Sequence, residues 1–237
     1  RSKGYYSFNV GTWHVVALNS NCSAIGGCGA GSAQEQWLRA DLAANPTACT
    51  LAYWHHPRFS SGSHGNNSAM QPLWQALYDN GADLVLAGHD HDYERFAPQT
   101  ASGVLDNTRG IRSFVVGTGG KELNGFGTTR ANSQLRSSAA LGVLALTLRP
   151  TSYDWEFAPI AGHTLVDAGT ASCSAQLPPP PAQTTLTVPV SADAYTMQSS
   201  ASTNYGRRTT LLVDGSPVAR TYFKFPVSGV GARSIVS

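Results

Sequence analysis

Residues 83–95 read DLVLAGHDHDYER, an apolar run that is followed at once by two histidines. The run from Asp83 to Ala87 predicts a buried β-strand, because short continuous apolar runs bounded by glycine are typical of strands covered on both faces. His89 and His91 then fall in the turn at the end of that strand. Neutral imidazole is the commonest metal ligand among protein side chains. The stretch therefore indicates a metal site.

Residues 51–57, LAYWHHP, form a second apolar run that ends in histidine. The intervening residues 68–80 predict a helix, since Ser68 and Gln71 form a capping box ahead of an apolar stripe. A strand, a helix and a strand with short connections make a βαβ unit, which leaves the carboxyl ends of both strands at one edge of the sheet. Three histidines are expected to meet at that edge: His55, His89 and His91. In the competing interpretation, the last two are ordinary loop residues and His56 is a packing residue.

The remaining elements are predicted by the same signals, helix caps and apolar runs. Ser32 and Glu35 form a capping box that predicts a helix at about 33–44. A hairpin is expected from strands at 5–10 and 13–19. Further strands are expected at 50–54, 112–117, 141–148 and 152–159, the last with its aromatic residues on one face. The mixture of helices and strands predicts an α/β domain.

Two carboxylates, Asp92 and Glu94, follow the second histidine and precede Arg95. One interpretation makes them hydrogen-bond acceptors that orient the imidazoles. The favoured interpretation makes them loop caps or ion-pair partners of Arg95, which is the commoner use of such carboxylates.

Charged residues make up only 13% of the chain, and the formal net charge is +2. The longest basic run is Arg207-Arg208, so the basic patch that nucleic-acid binders carry is missing and no nucleic acid partner is expected. No run of 18 apolar residues occurs, and no membrane-spanning helix is expected.

The chain contains four cysteines and no C-x-x-C pair. In a weakly charged chain rich in serine and threonine, this favours disulfides over a zinc site, and disulfides predict a secreted protein. Four cysteines allow three pairings. The favoured one joins Cys22 to Cys28 around a glycine-rich loop and Cys49 to Cys173 at the end of the domain.

Four consecutive prolines occupy residues 178–181. They cannot enter a helix or a central strand, and they predict a stiff polyproline spacer. The predicted organisation is therefore a first domain at 1–175, a proline-rich linker at 176–183 and a partial all-β module at 184–237.

Two motifs carry a family resemblance: H-x-P at residues 55–57 and G-H-x-H-x-Y-E-R at residues 88–95. The chain resembles the calcineurin-like metallophosphoesterases, and most closely their purple acid phosphatase branch, over about residues 5–173. The resemblance implies an α/β four-layer αββα sandwich, here incomplete at the N-terminus. It also implies two divalent or trivalent metal ions, iron paired with zinc, manganese or iron. It assigns His55 and His89 as ligands of one ion and His91 as a ligand of the other.

His64 stands nine residues after His55, where plant-like phosphatases carry a substrate-facing histidine in the loop above the metals. The resemblance therefore implies that His64 is the catalytic and substrate-binding residue that contacts the phosphate or the leaving group. The alternative is a solvated loop histidine, because the surrounding glycines and serines impose no geometry.

Three family motifs, D-x-H, G-D-x-x-Y and G-N-H, are absent from the chain. Asn66-Asn67 and Asp90 are poor substitutes, since neither follows a predicted strand in the required way. Three histidines alone cannot hold and charge-balance two divalent ions. The chain is therefore expected to be the C-terminal portion of a catalytic domain and, by itself, to be weakly active or inactive.

Residues 184–237 resemble the DNRLRE-type β-sandwich modules of secreted bacterial enzymes, through ADAY at 192–195, TNYG at 203–206 and LVDG at 212–215. The resemblance implies a module that associates with carbohydrate or the cell wall. Cell-wall polysaccharide is therefore an expected partner, and an inert structural extension is the alternative.

The function implied is that of a secreted phosphoesterase of the acid phosphatase type, in which a metal-bound hydroxide attacks a small phosphate monoester. A metal ion makes hydroxide available by lowering the pKa of water from about 15.7 towards about 7. The alternative is a catalytically inactive surface protein that binds carbohydrate or the cell wall. The residues leave open which ester is cut, which metals are used, and whether diesters are also substrates.

Overall fold

The computed structural model describes residues 3–174, 192–200, 202–203, 214–215 and 218–224. The chain forms two compact units, residues 1–182 and residues 183–237. The linker predicted at 176–183 lies outside the described residues.

A seven-stranded mixed sheet forms the centre of the first unit. Its strands are β1 (Tyr6–Val10), β2 (Trp13–Ala17), β3 (Cys49–Tyr53), β4 (Leu84–Ala87), β5 (Tyr93–Gln99), β6 (Ile111–Val116) and β7 (Ser133–Ser137). Their spatial order is β1-β2-β3-β4-β6-β5-β7. The four central strands β2, β3, β4 and β6 run parallel to one another. The strands that precede the two histidine motifs, β3 and β4, are therefore adjacent and parallel, as predicted.

Two helices, α1 (Ala33–Ala44) and α2 (Gln71–Asp79), cover one face of this sheet. Leu38 of α1 and Leu77 of α2 are fully buried in the same apolar cluster as Val85 of β4. Burying a side chain of this size contributes about 1.5–3 kcal/mol. This packing fixes the loops that join the strands to the helices.

The first helix begins where the sequence predicts, and the second does not. Oγ of Ser32 accepts the amide N–H of Glu35 at 3.4 Å, so the first cap is confirmed. In front of α2, the capping residue is Asn67 and not Ser68, because the Asn67 side chain accepts the amide N–H of Ala69 at 3.0 Å. Asparagine caps helices as well as serine does, so the cap forms one residue earlier and a short 3₁₀ turn leads into α2.

A second, antiparallel sheet covers the other face. Its strands are β8 (Gly142–Arg149), β9 (Ser152–Pro159) and β10 (Ala168–Ser172). Tyr153, Trp155 and Phe157 of β9 are buried, as their alternation predicts. Trp155 packs on Phe114 of β6, and Phe157 packs on Tyr93 of β5. The predicted α/β class is confirmed, and the described residues of this unit form three layers: helices, large sheet and small sheet.

Both predicted disulfides are present. Cys22–Cys28 closes the glycine-rich loop before α1. Cys49–Cys173 ties the first residue of β3 to the segment that follows β10. The second bond therefore links the large sheet to the small one.

Asp83 is buried beside this second disulfide, at the amino end of β4. Its carboxylate accepts the amide N–H groups of Thr50 at 2.8 Å and Ser174 at 2.6 Å. Burial raises the pKa of Asp83 to about 7, because it outweighs the opposing effect of these two hydrogen bonds. In the folded chain this carboxyl group therefore ionises only near neutral pH.

The described part of the second unit contains three antiparallel strands. They are β11 (Ala192–Met197), β12 (Asp214–Gly215) and β13 (Val218–Lys224), in the order β11-β13-β12. They agree with the all-β prediction for this module. No helix among the described residues of either unit has the length and apolar content needed to cross a bilayer.

We expect Asp83→Asn to flatten the pH dependence of the free energy of unfolding. The folded pKa lies above the ordinary value of 3.8, so the stability that Asp83 contributes is complete below that value and is lost as pH rises through about 7. Because one pKa unit corresponds to about 1.4 kcal/mol, the native chain should lose a few kcal/mol more than the variant between about pH 4 and pH 8.

Urea unfolding of both chains at these two pH values measures the difference. The asparagine NH₂ group cannot accept one of the two hydrogen bonds that Asp83 accepts. That loss lowers the free energy of unfolding equally at both pH values, so it cancels when the two values are compared. Identical pH dependence in the two chains would contradict the prediction.

Candidate metal centre

The carboxyl ends of β3 and β4 lie at one edge of the large sheet. Their pairing continues past the end of β3, where the Trp54 amide donates to the carbonyl oxygen of Leu86 in β4 at 3.1 Å. One step further, the Gly88 amide donates to the carbonyl oxygen of His55, also at 3.1 Å. The register of the strands therefore extends into the two loops and brings His55 close to His89.

The imidazoles of His55 and His89 are in contact. Nε2 of His55 lies 3.1 Å from Nδ1 of His89. Two nitrogens that bind one tetrahedral zinc ion at about 2.0–2.1 Å lie about 3.3 Å apart, so this pair fits a shared ion. His89 also has a φ of +68°, in the left-handed region that few residues other than glycine adopt and that is enriched at functional sites. The structure thus brings together two of the three predicted ligands.

His56 is a third imidazole at this edge, and it was not among the three predicted ligands; the competing interpretation made it a packing residue. One ring nitrogen from each of His55, His56 and His89 lies within 4.8 Å of the other two. Nδ1 of His56 is 2.8 Å from Oγ of Ser20. When Nδ1–H donates to that hydroxyl, the Nε2 lone pair is free, as in many metal-bound histidines. We call these three residues, His55, His56 and His89, the three-histidine cluster.

The surroundings favour the neutral form of the His56 and His89 rings. Burial, reinforced by His55 and His64, lowers the pKa of His56 below its ordinary value. Burial and the neighbouring histidines lower the pKa of His89 as well, and Asp90 opposes this effect only in part. Neutral imidazole has the free lone pair that coordination requires.

His91 lies outside the three-histidine cluster. Its Nδ1 is 3.1 Å from the carbonyl oxygen of Glu122. Because a carbonyl oxygen only accepts, Nδ1 carries the proton and Nε2 keeps its lone pair for another partner. The loop that carries His91 packs directly against Gly117, since a Cβ at that position would lie 1.9 Å from the carbonyl oxygen of Asp90. The assignment of His91 to a second ion stays a prediction.

His64 is hydrogen-bonded to Asp90 and lies beside the three-histidine cluster. Its Nδ1 is 2.7 Å from Oδ1 of Asp90, and its ring centroid is 4.2 Å from that of His89. Burial tends to raise the pKa of Asp90, but hydrogen bonds from Ser60 and His64 outweigh it and hold the pKa below its ordinary value. His64 is therefore a positioned loop residue, and its contact with substrate stays a prediction.

Asp92 and Glu94 are fully buried beneath the loop that carries His64. Glu94 caps that loop, because its carboxylate accepts the amide N–H of Ser61 at 2.7 Å and the Ser61 hydroxyl at 2.6 Å. Neither carboxylate oxygen of Asp92 has a hydrogen-bond partner among the described residues. Burial, together with the charges of Asp90 and Glu94, raises the pKa of Asp92 to about 7.

Of the favoured interpretation of these carboxylates, loop capping is confirmed for Glu94, whereas the predicted pairing with Arg95 is wrong. Arg95 instead binds Asp167 through two nitrogens, at 2.8 and 3.0 Å. The hydroxyl of Tyr93 donates to the same carboxylate at 2.6 Å. Asp167 follows β9, more than seventy positions along the chain from both residues, and no local pattern could reveal it.

Two family models match this chain. Residues 4–93 match the calcineurin-like phosphoesterase model, and residues 184–237 match carbohydrate-binding module family 96. The resemblance predicted from the H-x-P and G-H-x-H-x-Y-E-R motifs is therefore confirmed. The second match is to a carbohydrate-binding family, and the likeness to DNRLRE-type modules stays a prediction.

Similar proteins include bacterial and plant chains. An uncharacterized protein of Mycobacterium tuberculosis is 32% identical over an alignment of 146 residues that covers 49% of this chain and 27% of that protein. Purple acid phosphatase 15 of Arabidopsis thaliana is 35% identical over an alignment of 97 residues that covers 38% of this chain and 18% of that one. A purple acid phosphatase from yellow lupin seeds shares the fold, with a TM-score of 0.63 at 20% identity over 72% of this chain and 33% of its own. This chain thus spans a third or less of each relative.

The donors on the described residues fit part of a metal centre. The three-histidine cluster fits one ion, and His91 lies outside that cluster with Nε2 left for another partner. The family comparison implies divalent metal ions, and histidine nitrogens suit zinc, iron and manganese sites completed by oxygen ligands.

We expect this chain to bind one Zn²⁺ ion through the three-histidine cluster. His89→Ala removes the nitrogen that faces His55 and should weaken binding at least about tenfold, and His56→Ala should weaken it by a similar factor if its ring is a ligand. Competition with a chromogenic chelator measures the affinity, and metal analysis after gel filtration measures the stoichiometry.

His163→Ala is the matched control, because this histidine lies in the β9–β10 loop and contacts the carbonyl oxygen of Ala139. Its affinity should equal that of the native chain. Zinc binding that survives His89→Ala would contradict the assignment.

Proposed function

We propose that this protein is a metal-dependent phosphoesterase of the acid phosphatase type, which hydrolyses small phosphate monoesters. The observation that carries the proposal is the 3.1 Å contact between Nε2 of His55 and Nδ1 of His89, at the ends of adjacent parallel strands. The family match of residues 4–93 and the fold shared with a purple acid phosphatase support it.

When bound, metal ions in such a centre lower the pKa of a water molecule and offset the negative charge of the phosphate. The residues of this chain hold and orient the reactants. His55 and His89 present ring nitrogens from the sheet edge, and His91 presents Nε2 with its tautomer fixed by a backbone carbonyl. His64, half exposed beside them, is placed to hydrogen-bond a phosphate or leaving-group oxygen.

The same proposal includes the identity of the two metal ions: one is iron, and the other is zinc, manganese or a second iron. The described donors are histidine nitrogens and account for only part of such a centre. The proposal therefore concerns the complete encoded protein, and the isolated 237-residue chain is expected to be weakly active or inactive.

The complete encoded protein, loaded with metal, should release phosphate from an aryl phosphate monoester faster than from a bis-aryl diester. His89→Ala should lower kcat at least about 100-fold, the upper end of the loss seen when a group that supports a metal ligand is removed. His163→Ala should behave like the native protein. An inactive native protein, or a fully active His89→Ala variant, would refute the proposal.

Carbohydrate binding is the second candidate function, favoured by the match of residues 184–237 to carbohydrate-binding module family 96. In this account the module tethers the first unit to a cell-wall polysaccharide, whether or not that unit is active. Retention of the protein on insoluble polysaccharides should survive both a chelator and His89→Ala. If no polymer in a broad panel retains the protein, or if retention requires metal, this candidate is wrong.

Export is proposed because the chain carries two disulfides and no free cysteine among its four. Such bonds persist in oxidising compartments. In the native host, the protein should accumulate outside the cytoplasm with both bonds formed. Accumulation in the cytoplasm with four thiols open to alkylation would contradict export.

A further inference from the structure

Asp90 occupies the variable position of the G-H-x-H motif, between His89 and His91. Its side chain has an exposed fraction of 0%, whereas 48% of the His64 side chain is exposed. A buried carboxylate needs hydrogen-bond donors to remain ionised. The donors to Asp90 come from the loop after β3, and Asp90 itself lies in the loop after β4.

Two of these donors belong to one residue. Oδ1 of Asp90 accepts the amide N–H of His64 at 2.9 Å and lies 2.7 Å from its Nδ1. Oδ2 accepts the hydroxyl of Ser60. A carboxylate only accepts, so Nδ1 of His64 carries a proton and Nε2 is the ring atom left to meet another molecule. The paired contacts hold both the backbone and the ring of His64.

The loop can close over Asp90 because residue 62 is glycine. A Cβ at Gly62 would lie 2.4 Å from Cγ of Asp90 and 2.6 Å from Oδ2 of Asp92, distances that real contacts do not reach. A second carboxylate, Glu94, holds the neighbouring Ser61 through its amide and its hydroxyl. The loop is thus attached at two successive serines and at His64.

We propose that Asp90 is a positioning residue for His64: its carboxylate fixes the Nδ1–H tautomer and directs Nε2 towards the phosphate ester. The inference rests on the function proposed above and deepens it. A buried aspartate that orients an imidazole in this way is a recurrent arrangement, because it selects the tautomer and stabilises the protonated ring. Asp90 therefore acts through His64 and not as a ligand of the metal.

A double-mutant cycle tests this in the complete encoded protein with an aryl phosphate monoester. Asp90→Asn removes the charge and one acceptor while keeping the volume, and it should lower kcat about tenfold or more, with metal content unchanged. In a His64→Ala background, Asp90→Asn should have no further effect on kcat. An equal loss in both backgrounds, or a loss of metal in Asp90→Asn alone, would overturn the proposal.

Asp83→Asn is the matched control. Asp83 is also a buried carboxylate that accepts two hydrogen bonds, but it lies at the opposite end of β4. This variant should keep the native kcat. A loss of kcat in Asp83→Asn as large as that in Asp90→Asn would show that removing any buried carboxylate suffices, and would overturn the specific role of Asp90.

The tautomer can be observed without any activity, by long-range ¹H–¹⁵N correlation of the histidine rings at a pH where His64 is neutral. Nδ1 of His64 should carry the proton in the native protein, and the population should shift towards Nε2–H in Asp90→Asn. If native His64 carries its proton on Nε2, the proposal is wrong even when the enzyme is active. If the tautomer is as proposed and no phosphate is released, then only the proposed function fails. Should Asp90→Asn not fold, the native spectrum alone decides.

Discussion

The parallel pairing of β3 with β4 is the constraint on which the rest of the site depends. A hydrogen bond from Trp54 to Leu86 continues this pairing past the end of β3, and one from Gly88 to His55 continues it beyond both strands. Because the backbone register is fixed at this point, the two imidazoles that follow need no flexible loop to meet. The helices behind the sheet pack on both strands, and the Cys49–Cys173 bond holds the other end of β3.

A second set of contacts joins the loops above that edge. Three buried carboxylates in alternate positions after β4, Asp90, Asp92 and Glu94, lie beneath the loop that follows β3. Two of them accept hydrogen bonds from that loop, whereas Asp92 has no partner among the described residues. A buried, unpartnered carboxyl group is costly, and its raised pKa is the physical consequence. Concentrating such groups beneath a loop is typical of functional sites.

The sequence was sufficient for features that depend on local pattern. The strands before both histidine motifs, the helix at 33–44 and the turn that brings His89 to His55 follow from apolar runs, caps and the geometry of a βαβ unit. The structure also adds three strands that the patterns miss. β5 begins inside the histidine motif and contains Pro98, β7 reads SQLRS with one apolar residue, and β10 reads AGTAS with small residues only. Their positions are set by pairing with neighbours, which a local apolar pattern does not encode.

The parts of the site that could not be predicted from the sequence are contacts between residues that are distant along the chain. His64 and Asp90 are 26 positions apart, and their hydrogen bond depends on the closure of one loop over another. His56 was not among the predicted ligands, yet Ser20, 36 positions earlier, hydrogen-bonds its ring and the ring lies beside His55 and His89. In both cases the residue type was visible in the sequence, and the partner was not.

The central claim is that the sheet edge holds a metal ion between His55 and His89. A crystal of the protein grown with Zn²⁺, with data collected on both sides of the zinc absorption edge, tests it directly. The account predicts an anomalous peak about 2.0–2.1 Å from Nε2 of His55 and from Nδ1 of His89. The claim would be contradicted if no anomalous peak appeared at this edge at saturating zinc. It would also be contradicted if the ion bound elsewhere and Nε2 of His55 lay more than about 5 Å from Nδ1 of His89.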